Sequence, residues 1–80
     1  MKQSIPLHTL KEGEHGTIVR LCASGKLRRR LQDIGMTEGA RIGCVQKSLW
    51  GNPVAYQIRG AVIALRTQDA ARILVTPVVV

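Results

Sequence analysis

Eighty residues with 12 Lys and Arg against 5 Asp and Glu, a formal net charge of +7, leave room for a single domain spanning 1–80. They exclude a large enclosed substrate cavity, because a chain this short has little core to spare. With 45% hydrophobic residues but no Phe, one Trp and one Tyr, the interior must be built from Val, Ile, Leu and Ala, and the cationic excess favours an acidic or polyanionic partner over chemistry of the protein's own.

Pro6 and His8 interrupt the opening stretch where an export signal needs an unbroken apolar run, so a cytoplasmic location is expected. Ile5 to Leu10 reads as a short helical turn or an extended arm, anchored by Leu7 and Leu10. Lys11 to Gly16 is a glycine-rich turn. Thr17 to Cys22 then reads as a strand, with Thr17, Val19 and Leu21 on one face and Ile18, Arg20 and Cys22 on the other.

Ser24 to Gly39 organises the rest of the chain. Leu27, Leu31 and Ile34 recur at spacings of a helical stripe. Ser24 is placed as N-cap and Gly35 as a left-handed C′ residue, which puts Met36 and Leu31 in the packing pair of a Schellman ending. So short a helix does not persist alone in water, so its apolar stripe must dock. Its other face carries Lys26, Arg28, Arg29 and Arg30, offset only by Asp33. Such a face is either solvated charge or a docking surface for carboxylate or phosphate.

Thr37 to Gly39 turns into a second strand, Ala40 to Lys47, with Ile42, Cys44 and Val45 as inward candidates and a bulge expected at Gly43. Ser48 to Pro53 is a hairpin loop whose tip bears Trp50, a large aromatic that either caps the core or meets a partner. Val54, Tyr56 and Ile58 alternate with polar or small residues, the period of a half-buried strand. In that strand Tyr56 is expected in the core with its hydroxyl at the rim. Arg59-Gly60 is a tight turn, and Ala61 to Arg66 a fourth strand whose weak alternation suggests cover on both faces. Thr67 to Ala71 gives one helical turn with Thr67 as a capping residue. Arg72 to Val75 resumes a strand, which Pro77 places at an edge. Arg59, Arg66 and Arg72 read as solubilising charge at strand ends. The fold class is therefore all-β: a small SH3-like barrel of about five strands, closed or nearly so, with one short helix inserted after the first strand.

Cys22 and Cys44 lie far apart and outside the close pairs that zinc or redox sites use, so they read as small buried hydrophobes. No stretch approaches the roughly 20 apolar residues of a spanning helix, and membrane insertion is not expected. His8 and His15 lack a neighbouring nucleophile, so no catalytic residues are assigned and the chain is not read as an enzyme. Glu12, Glu14 and His15 could hold a divalent ion only loosely, from a flexible loop, and no metal site or cofactor is assigned. Nucleic acid is the rival partner class, since phosphate contacts need only Lys and Arg. Barrel-type single-strand binders stack bases on exposed aromatics, however, and this chain is nearly without them.

Taken in order, Pro6-Leu7 to Leu10 with Gly13 and Gly16, Arg29 to Met36 with Gly39, Gly51 to Val54, Ile63 to Arg66 and Ala70 to Val75 resemble the FeoA-type proteins of bacterial ferrous iron uptake. The resemblance implies an SH3-like barrel, a cytoplasmic setting, no enzymatic activity and a regulatory interaction role. Its implied partner is a membrane ferrous iron transporter carrying a cytoplasmic GTPase domain. The same barrel ends iron- and manganese-dependent repressors. Lys26, Arg28, Arg29, Arg30 and Trp50 are the expected partner-binding residues. Glu38 and Leu49 stand where the family often has Pro, so looser turns are expected there. Val78-Val79-Val80 either pairs across a homo-oligomer edge or frays.

Overall fold

The computed structural model describes residues 3–78; Val79 and Val80, and with them most of the expected C-terminal pairing segment, lie outside the described residues, as do Met1 and Lys2. Six strands form one antiparallel sheet among the described residues: β1 (Ile5–Pro6), β2 (His15–Leu21), β3 (Arg41–Lys47), β4 (Val54–Ile58), β5 (Ala61–Leu65) and β6 (Ile73–Pro77). A nine-residue helix, α1 (Gly25–Asp33), follows β2, and a single turn, α2 (Thr67–Ala70), precedes β6. The spatial order is β1-β6-β2-β3-β4-β5. This corrects the expected topology in three respects. The described residues hold six strands where about five were expected, the long helix follows the second of them because the two-residue β1 comes first, and the sheet they form is open rather than closed into a barrel, with β1 and β5 as unjoined edges.

The core is one cluster on the buried side of the sheet. Leu7 and Leu10 enter it from a 3-10 turn at Leu7–Thr9 that continues β1, so the opening stretch is both arm and turn. Ile18, Ile42, Tyr56, Ile58, Ile73 and Val75 supply the sheet's share, and Leu31, Met36 and Ala70 close it from the helical side. In β4 the alternation holds as read, with Val54, Tyr56 and Ile58 buried.

Elsewhere bulges override simple alternation. In β2 the register against β6 shifts between Ile18 and Arg20, which turns both Ile18 and Leu21 inward and leaves Val19 exposed, so the two-face assignment of that strand fails. The bulge in β3 falls between Cys44 and Gln46 rather than at Gly43, and it sends Val45 to solvent. Gly43 lacks a side chain for another reason: a Cβ there would sit 2.6 Å from His15 Cδ2 on the paired strand.

Pro77 does not mark an edge. β6 lies between β1 and β2, and Pro77 sits past the last β1 partner, Ile5 opposite Val75, where its missing N–H disrupts no ladder on that side. The edges are β1 and β5, and β5 is mostly exposed rather than covered on both faces. It joins β4 through a two-residue turn in which Arg59 (φ 49°) and Gly60 (φ 80°) are both left-handed, the backbone of a type I′ hairpin. The turns at Glu38 and Leu49 are not loose. The Ala40 N–H donates to the Thr37 carbonyl at 3.0 Å, and the Gly51 N–H to the Ser48 carbonyl at 2.9 Å.

Candidate functional site

Helix α1 ends as its sequence requires. Ile34 is the C-cap, Gly35 follows at φ +99°, the Met36 N–H donates to the Leu31 carbonyl at 2.9 Å and the Gly35 N–H to the Gln32 carbonyl at 3.0 Å. These are the two bonds of a Schellman motif, and Leu31 and Met36 are both fully buried. At the other end Ser24 is the N-cap residue, but its side chain makes no capping hydrogen bond. Leu27 is half-buried against the core, while Ile34 is 37% exposed and lies outside it. The docked stripe is thus Leu27, Leu31 and Met36, because the C-terminal turn swings Ile34 away and brings Met36 in.

With that stripe inward, the cationic residues fall into three situations. Arg28 is half-buried and its Nη1 donates to the Leu21 carbonyl at 3.1 Å, so part of its donor set is used within the fold. Arg30 reaches Asp69 of α2, with Nη2 and Oδ2 3.8 Å apart. That pair is long, and the Arg30 side chain is 70% exposed, so it contributes little to stability. Lys26 and Arg29 are exposed and form no ion pair among the described residues.

Lys26, Leu27 and Arg30 line an open cleft of about 790 Å³ against Ala64, Leu65 and Arg66 of the β5 end and Gln68 and Asp69 of α2. Arg66, read from the sequence as solubilising charge, lies on the wall of this cleft. Nothing in its local sequence signals this, because the strand's pairing and the position of α1 bring it there. Arg59 is not simply solubilising either. Its Nε donates to the Gly35 carbonyl at 3.5 Å and its Nη2 to Thr37 Oγ1 at 3.2 Å, tying the hairpin turn to the end of α1.

Trp50 is 91% exposed and Leu49 98% exposed at the tip of the 48–53 loop, so Trp50 does not cap the core. The loop itself is held. Thr67 Oγ1 donates to the Gly51 carbonyl at 2.9 Å, the Thr67 N–H to Asn52 Oδ1 at 3.0 Å, and the Asn52-Pro53 peptide is cis. Asn52 thus caps α2, in place of the expected Thr67 side chain. Trp50 does not line the α1 cleft; its neighbour Leu49 lines a second one, of about 640 Å³, with Lys11, Glu12, Gln46, Lys47 and Ser48.

The loop carboxylates are occupied by backbone. Glu12 Oε2 accepts the Lys47 N–H at 2.7 Å and Glu14 Oε1 the Lys11 N–H at 2.6 Å. No cluster of three or more His, Cys, Asp or Glu placed to hold a metal occurs among the described residues. Cys22 is exposed rather than buried, whereas Cys44 is buried beside Tyr56.

The FeoA domain model matches residues 5–77, which take in all six strands and both helices. The chain belongs to the FeoA domain family. A FeoA domain is also found within a Porphyromonas gingivalis Fe(2+) transport protein A/Fe(2+) transporter FeoB fusion protein, 36% identical over 67 residues; the match takes in 84% of this chain but only 8% of the fusion's length. Among solved structures, a FeoA-like protein from Clostridium acetobutylicum superposes with a TM-score of 0.89 at 28% identity, covering 99% of this chain and 92% of that one. Stenotrophomonas maltophilia FeoA complexed with zinc, described as a procaryotic SH3 domain protein, superposes at 0.78 with 25% identity, covering 91% and 88%. The FeoA fold is thus SH3-like and the family is linked to ferrous iron transport. No helix among the described residues is long and apolar enough to cross a membrane.

Proposed function

We propose that this FeoA-family protein is a non-enzymatic cytoplasmic adaptor that binds the cytoplasmic, GTPase-bearing part of a membrane ferrous iron transporter and modulates its assembly or nucleotide cycle. The observation that carries it is the P. gingivalis relative, in which a matching domain and FeoB are parts of one polypeptide. Fusion holds two modules at high effective concentration, an arrangement that favours partners that meet. The face proposed for the meeting is the outer side of α1, where Lys26, Arg29 and Arg30 are exposed around the cleft end of the helix. Exposed cations of this kind steer association with an acidic surface and set its salt dependence.

Reversing Arg29 and Arg30 together to Glu tests this. Binding of the transporter's soluble domain is expected to weaken by about tenfold or more, while the melting temperature stays within about 5 °C of the parent because neither side chain is buried. Unchanged affinity removes the helix face from the proposal. Failure of the unmodified chain to bind the domain at all overturns the adaptor role itself.

A further inference from the structure

β5 is an edge strand of unusual composition. Ala61–Leu65 carries no charge, no Pro and no bulge, its register against β4 is unbroken, and Val62 is 62% exposed. Sheet edges in soluble proteins are normally blunted by just those missing devices. The register also fixes which backbone groups are left over. Ile58 and Ala61 flank a two-residue turn and so form a hydrogen-bonded pair. In an antiparallel ladder such pairs alternate with non-bonded ones, so Tyr56 with Ile63 and Val54 with Leu65 are the next bonded pairs. Val62 and Ala64 therefore turn their N–H and C=O groups away from β4, and no other strand takes them up among the described residues.

The C-terminal end of this edge opens into the cleft lined by Lys26, Arg30 and Arg66, against which Asp69 is the single carboxylate. We infer that the free edge of β5 receives an extended, acidic segment of the partner polypeptide by strand addition, with main-chain bonds to Val62 and Ala64 and carboxylates over Lys26, Arg30 and Arg66. Main-chain pairing of this kind supplies affinity while side-chain pockets and charge supply selectivity. A second copy of this chain is disfavoured as the occupant, because each molecule carries +7 and like charge opposes their association. The inference rests on the adaptor role for the identity of the partner, but not for the chemistry of the edge.

The test uses the full chain, labelled for backbone amide exchange, with a blocked hexapeptide alternating Glu and Val as probe and an alternating Lys and Val peptide as control. At saturation the Glu-Val peptide is expected to slow exchange at Val62 and Ala64 by about tenfold or more, to lose affinity between about 50 and 500 mM salt, and to outcompete the Lys-Val peptide. Val62→Pro, which removes one outward donor and leaves the β4 pairing intact, is expected to abolish binding; if that variant does not fold, the exchange rates of the unmodified chain decide alone. Peptide binding without slowing at Val62 and Ala64, or slowing that depends only on protein concentration and so reports a second copy, overturns the proposal. Repeating the measurement with the transporter's soluble domain separates the two claims. A domain that binds without protecting those amides sinks strand addition and leaves the adaptor role standing. A domain that does not bind, beside a peptide that does, has the reverse meaning.

Discussion

Arg28 and Arg59 look alike in the sequence to Arg29 and Arg66, yet each of the first two gives a hydrogen bond to a carbonyl of the fold, while the second two are exposed without one among the described residues. A guanidinium has five donors and a long stem, so whether it meets a partner depends on which carbonyls the fold brings within reach. No local pattern announces that. Tyr56 makes the same point in the core. It was legible as buried, but its hydroxyl is buried too and has no hydrogen-bond partner among the described residues, rather than sitting at the rim. Burial pushes the phenol well above its ordinary 10.0, and the neighbouring Cys44 adds to the rise. Burial likewise pushes the Cys44 thiol above 9.0, with Lys47 opposing and Glu12 and Glu14 assisting.

Both groups are thus held neutral in the folded chain while the unfolded chain ionises at the ordinary values. Above about pH 9 the unfolded state binds fewer protons than the native state, so stability falls as pH rises, by at most about 1.4 kcal/mol per pH unit for each group. Below that pH neither contributes a slope. Urea melts of Tyr56→Phe are expected to lie within about 1 kcal/mol of the parent at pH 7 and to decline less steeply above about pH 10. Parallel declines for the two proteins would show that the phenol is not the titrating group.

At the scale of elements, α1 was the most legible part of the chain because its signals agree: a stripe at helical spacing, a glycine at C′ and an apolar pair across the ending. What the pattern misjudged was the last member of the stripe. Ile34 sits at the C-cap with φ −92° and ψ 7°, off the helical path, and Met36 takes its place in the core. Leu31→Ala is therefore expected to cost about 2–5 kcal/mol, and Ile34→Ala under about 1 kcal/mol. Equal losses on denaturant melting would mean that the helix is docked by its whole stripe after all. β5 was misjudged for a related reason. A strand apolar at consecutive positions reads as doubly covered, but Ala61, Val62 and Ala64 are exposed, and the pairing order separately leaves the strand without a second neighbour.

For the molecule as a whole, the all-β class, the single inserted helix and the front turn were readable from turn residues and periodicity. The open order β1-β6-β2-β3-β4-β5 was not, since it pairs strands from opposite ends of the chain. The local β4–β5 hairpin brings the 48–53 loop to α2, and the folded chain sets Lys26 and Arg30 beside Arg66. The site was consequently legible as a basic helix face, and its other wall, the β5 edge, was not. Trp50 remains apart from it, exposed on a loop that the Thr67 bonds hold in place.

The most direct measurement is chemical-shift mapping of the full chain on titration with the soluble domain of the ferrous iron transporter. Perturbations are expected to concentrate at Lys26, Arg29 and Arg30 of α1 and at Val62 to Arg66, and to weaken as salt is raised. Perturbations confined to the opposite edge, β1 and β6, or to the 48–53 loop, would contradict this placement.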